Sequence, residues 1–122
     1  MSDHRKLRAF HLANDLAIAI YRLTRNFPKE EQYGLTSQMR RAAVSVAANI
    51  VEGEARSSAR DLMRFLNIAF GSARELGYFL ELSIRLGFLS RAQAEPVIAA
   101  HLETSQVPNG LISALNKRLG NP

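Results

Sequence analysis

Apolar residues recur at steps of three and four along most of the chain, and four stretches carry the pattern strongly enough to predict helices. The first is expected over about residues 7–26. Phe10, Ala13, Ala17, Ile20 and Tyr21 form its stripe, with Leu12, Leu16 and Ala19 beside it. Phe27-Pro28 ends it, because the residue before a proline is pushed out of the α region. Lys29 to Leu35 reads as a connector, with Gly34 free to take a positive φ. The second helix is expected over about 36–52, with Thr36 as N-cap, Met39, Ala43, Val46 and Ile50 as its apolar stripe, and Gly53 as its stop. Ser57 or Ser58 caps the third, over about 58–86, which Gly87 closes; it would be roughly 45 Å long. Ser90 and Gln93 form a capping box for the fourth, over about 91–119. Pro96 and Pro108 fall inside it, which predicts a kink or break around Pro108-Asn109-Gly110.

Four helices with short connections predict an all-α fold: one domain over residues 1–122, built as an antiparallel up-down-up-down four-helix bundle. The apolar surface is wider than such a core needs. On the third helix Leu62, Phe65, Leu66, Ala69, Ala73, Leu76 and Leu80 share one side, while Met63, Phe70, Leu82 and Leu86 lie elsewhere around it. That excess predicts self-association, since large apolar patches on soluble proteins usually mark interfaces.

A row of polar residues interrupts the apolar pattern. Gln38, Arg41, Ser45, Asn49 and Glu52 share a face of the second helix; Arg64, Asn67, Gly71 and Glu75, with Ser72 adjoining, make a matching set on the third. In an antiparallel hairpin with an index sum near 116, Glu52 faces Arg64, Asn49 faces Asn67, Ser45 faces Gly71 and Arg41 faces Glu75. Unpartnered buried polar groups cost about 1–3 kcal/mol each, so the row is expected to form a hydrogen-bonded seam that fixes helix register or subunit docking.

Composition narrows the functional classes. The 122 residues hold no cysteine, which excludes disulfides, thiolate catalysis and cysteine-ligated zinc and suits a cytoplasmic protein. Folding such a chain removes about two-thirds of its extended surface from water, enough for a core without staples. The longest uncharged run is about 13 residues, short of the ~20 that span a bilayer, and the first residues lack the apolar stretch of a secretory signal, so no membrane association is expected. Sixteen Lys and Arg against eleven Asp and Glu leave a net charge of +5, which permits polyanion binding.

Phe27-Pro28, Glu31-Gln32-Tyr33-Gly34-Leu35, the run from Gln38 to Val46, Asn49-Ile50-Val51-Glu52-Gly53 and the run from Arg64 to Leu76 together resemble the small bacterial four helix bundle protein family. It is also called the ribosomal RNA intervening-sequence protein family, after members encoded within insertions in large-subunit ribosomal RNA genes. The resemblance covers roughly Phe10 to Leu89. It implies a homopentamer with a central channel and a relation to the accessory variability determinant of diversity-generating retroelements, a basic barrel that binds a reverse transcriptase and nucleic acid. By that likeness Gln38, Arg41, Ser45, Asn49, Glu52, Arg64, Gly71, Ser72 and Glu75 are signature residues, structural rather than catalytic.

Two functional readings follow. Arg56, Arg60 and Arg64, four apart, form a basic ridge at the start of the third helix; Arg40 lies on the second, and Lys117 and Arg118 near the end of the fourth. A ring of five copies at +5 carries about +25, which favours non-specific RNA or DNA contact through counterion release. The aromatics read as core, without an exposed stacking platform. The alternative is a protein–protein adaptor or assembly scaffold without nucleic acid, separable by salt dependence. An enzyme is not expected. No Glu-x-x-His pair, HExxH, GxSxG, phosphate loop or dinucleotide fingerprint occurs, His11 has only Asp15 near it, and His101 and Glu103 cannot face one point on a helix. Neither a metal nor a cofactor is expected.

Overall fold

The computed structural model describes residues 3–120, with side chains from Leu7 to Gly120. The described residues form four α-helices, α1 (Asp3–Leu23), α2 (Leu35–Glu54), α3 (Ala59–Arg85) and α4 (Arg91–Arg118), with two short 3-10 turns between α1 and α2. No strand occurs among the described residues.

The boundaries follow from local chemistry, and some correct the sequence expectation. α1 ends at Leu23 and tightens into a 3-10 turn over Thr24–Asn26, where the Thr24 hydroxyl donates to the Ile20 carbonyl at 2.8 Å. Phe27 is extended ahead of Pro28, as expected. Thr36 is not the cap of α2. The helix starts one residue earlier, and the Glu31 carboxylate in the connector accepts the Leu35 N–H at 3.0 Å. Gly34 has φ −111°, so no positive φ is needed there. Nor does Gly53 stop α2. It is buried within the last turn, where a Cβ would stand 3.0 Å from Leu62 Cδ1 and 3.2 Å from Phe65 Cβ, so its role is close approach to α3.

Ser58 accepts the Asp61 N–H at 3.1 Å, Gly87 takes φ +80° after α3, and Ser90 and Gln93 form the expected capping box on α4. The break expected at Pro108 does not occur: α4 runs on through both prolines. A proline inside a helix costs about 3 kcal/mol or more in lost hydrogen bonding and steric clash. Pro108 is fully buried beside Leu111 and Leu115, and that apolar packing offsets the cost.

Consecutive helices pack on one another, and α1 also packs on α4. Two apolar clusters fill the interior. One joins Leu16, Ile20, Phe27, Leu35, Met39, Leu76, Leu80, Leu89 and Ala94; the other joins Ala9, Ala13, Val46, Ile50, Leu66, Ala69, Ala73, Leu111 and Leu115. The few buried polar groups are mostly satisfied. His101 Nε2 donates to the Ala73 carbonyl at 2.6 Å, and Ser83 Oγ donates to the Phe79 carbonyl at 2.7 Å. No described helix is long and apolar enough to cross a membrane.

Candidate nucleic-acid interface

The polar row of α2 and α3 is not a sealed seam. Ser45 and Asn49 are half-buried, whereas Gln38, Arg41, Glu52, Arg64, Asn67, Gly71 and Glu75 are exposed. The cause lies in α3. Its strongest apolar stripe, Leu66, Ala69, Ala73, Leu76 and Leu80, is buried, and at 100° per residue the set 64, 67, 71, 75 lies nearly opposite it. Turning that stripe inward turns the polar set out.

Ser72, rather than Gly71, therefore faces Ser45, and the two hydroxyls share a hydrogen bond of 2.8 Å. Asn49 Nδ2 adds to this knot, donating to the Ser45 carbonyl at 2.8 Å and to Ser45 Oγ at 3.0 Å. Neither ion pair expected across the hairpin is among those of the described residues. Glu52 instead takes Arg56, one turn on, at 2.6 Å. Gly71 has nothing within 4 Å of a Cβ placed on it, so it serves no close approach within the chain.

The arginines divide into tethered and free. Arg56 is held by Glu52 and lies 4.9 Å from the centroid of the Phe65 ring; Arg64 lies 5.0 Å from the same ring. Arg60, Arg74 and Arg85 are exposed and join no ion pair among the described residues, and neither does Arg64. Helical spacing brings these four to one side of α3 over a length of about 37 Å. The expected ridge of 56, 60 and 64 thus loses one member to an internal pair and continues further along the helix. Sequence reading confined to steps of four missed Arg74 and Arg85, which share that side at longer steps. Lys117 and Arg118 are exposed in the last turn of α4.

Arg40 occupies a different surface. Its Nε donates to Thr24 Oγ1 at 3.0 Å, its Nη2 to the Tyr21 carbonyl at 3.4 Å, and its guanidinium lies 4.6 Å over the Tyr21 ring. Beside it opens a cleft of about 580 Å³, walled by Tyr21, Tyr33, Thr36, Arg40, Arg41 and Val44 among others. The expectation that the aromatics are core fails at all three tyrosines: Tyr33 is 90% exposed, Tyr78 63% and Tyr21 44%. Tyr33 sits in a polar connector between Gln32 and Gly34, a signal that was available in the sequence. No three His, Asp or Glu side chains among the described residues gather to hold a metal ion.

A family model described as 23S rRNA-intervening sequence protein matches residues 5–110. Among solved structures, the chain is similar to a protein of unknown function from the S23 ribosomal protein family of Bacteroides thetaiotaomicron. The two are 26% identical, with a TM-score of 0.82, over 89% of this chain and 98% of that one. No curated protein matches.

Proposed function

The chain belongs to the 23S rRNA-intervening sequence protein family, and from that premise we propose that it is a non-enzymatic, oligomeric bundle that binds nucleic acid non-specifically through arginine-rich surfaces. The protomer is an up-down-up-down antiparallel bundle, assembled as a homopentamer in the cytoplasm. Packing of each helix on the next, and of α1 on α4, supports the topology. Exposed apolar side chains away from the cleft beside Arg40, Ile18, Val51 and Ile68, support assembly.

One observation carries the nucleic-acid reading: four exposed arginines on one side of α3, free of ion pairs among the described residues. Such a stripe neutralises phosphates and releases counterions whatever the base sequence, and a ring repeats it in every copy. The test is retention of a labelled duplex across a salt series. Replacing Arg60, Arg74 and Arg85 with glutamine should lower the slope of log affinity against log salt by about 0.9 for each phosphate no longer neutralised. Retention that ignores both salt and the triple substitution overturns the reading. It leaves the adaptor alternative, in which the exposed apolar face docks a protein such as a reverse transcriptase.

A further inference from the structure

We propose that the cleft between the end of α1 and the start of α2 is a subsite for one unpaired nucleotide of a single strand, with the base stacked on Tyr33 and its phosphate held by Arg41 beside Arg40. The inference rests on the nucleic-acid reading but uses none of the α3 arginines.

Three observations converge on it. Tyr33 is a nearly fully exposed aromatic at the rim of a cleft of about 580 Å³, inside the range of small-ligand sites. An aromatic ring left in water gains nothing for the fold, whereas base stacking on it is worth a great deal and tolerates any base. Arg41 is exposed in the same wall and makes no hydrogen bond or ion pair among the described residues, so its charge is uncommitted. Arg40 is pre-positioned: Thr24, the Tyr21 carbonyl and the Tyr21 ring fix its plane, yet those bonds use only part of its five-donor fork. A guanidinium held in place loses little side-chain freedom on meeting a phosphate oxygen.

A hydroxyl and an amide of the wall add hydrogen-bonding capacity. Ser37 and Gln32 line the cleft and supply these groups; the Thr36 hydroxyl beneath them is buried and does not reach it. A paired base on a duplex cannot lay its face on Tyr33, so the chemistry selects single strands. An acidic peptide would use the arginines and leave the ring idle, which is why a nucleotide is the better fit.

The experiment measures fluorescence anisotropy of a short labelled oligouridylate and the matching oligothymidylate, with a blunt duplex of equal length as control. Assembly mass is recorded for each variant. Tyr33→Ala should weaken single-strand binding by about fivefold to a hundredfold, the range expected for one lost stack, and leave the duplex unchanged. Tyr33→Phe, which keeps the ring, should restore it. Arg41→Gln should lower the single-strand salt slope by about 0.7. Loss on both strands, or on one alone, supports the subsite; loss confined to uridylate shows that the ribose 2′-hydroxyl is read as well. If the wild-type protein holds the duplex and both single strands and Tyr33→Ala changes none of them, the subsite is overturned and the α3 reading stands. A wild-type protein that holds no nucleic acid overturns both. A Tyr33→Ala variant of lower assembly mass also overturns the subsite, because the ring would then serve contact between copies.

Discussion

Thr36 shows how a side chain's neighbours decide its role. In sequence it has the composition and position of an N-cap, but Leu35 starts the helix and Glu31 supplies the cap, leaving Thr36 buried with its hydroxyl unpartnered among the described residues. An unsatisfied buried hydroxyl costs about 1–3 kcal/mol, and valine has nearly the same shape without that cost. Thr36→Val should therefore raise stability by about 1 kcal/mol, read as a higher urea midpoint at unchanged slope. A lower midpoint would show that the hydroxyl has a partner after all. Ser58, Ser90 and Gln93 did reveal themselves in sequence, because their partners lie within three residues. Thr36 did not, since its competitor for the cap is a long side chain reaching across the connector. Tyr21 and Tyr33 differ from what aromatic composition alone implies: both are exposed, and for Tyr33 the polar flanks Gln32 and Gly34 already mark a surface position.

At the scale of the element, rotation about the helix axis separates what was legible from what was not. The existence and extent of four helices followed from periodicity and from Gly87, Ser58 and Ser90 at their ends. The register of α2 against α3 was expected at an index sum of 116, whereas the contact between Ser45 and Ser72 sums to 117. One residue is 100° of rotation, enough to turn an expected seam to the outside. The information was present, because the buried stripe of α3 and its polar set are nearly opposite; matching charges across the hairpin was the weaker guide.

Two glycines of α3 test this orientation. A Cβ at Gly77 would stand 2.8 Å from His101 Cε1, so Gly77→Ala must push the imidazole off its hydrogen bond to Ala73 and should cost about 1–3 kcal/mol. Gly71 faces open space, and Gly71→Ala should stabilise the protomer by up to about 1 kcal/mol through helix propensity. Denaturation of the two variants side by side checks the contrast. Equal losses at both would place Gly71 inside the packing, against the observed orientation.

For the whole molecule, the question is what covers the outer surface of α1, α2 and α3. The interior clusters are filled by the inward stripes, so Ile18, Val51 and Ile68 are surplus to the core of a single copy. Singly, exposed apolar residues need no explanation; repeated on three helices, they offer area that further copies can bury. The sequence showed the excess but not its place, because an apolar residue count carries no information on which side chains the fourth helix covers. If copies meet there, the assembly mass is a multiple of 13.6 kDa, five of them on the proposed reading. Val51→Glu then separates assembly from folding. Val51 is half in water already, so the substitution should leave helix content and thermal unfolding of the isolated protomer nearly unchanged. In a closed interface each buried glutamate would lack a partner and would cost several kcal/mol, repeated at every seam. Light scattering should show the variant collapsing towards a single copy while the wild-type mass persists on dilution. A wild-type protein of 13.6 kDa in solution would leave that surface wet and remove the ring, and each protomer would then carry only its own four free arginines to a phosphate backbone.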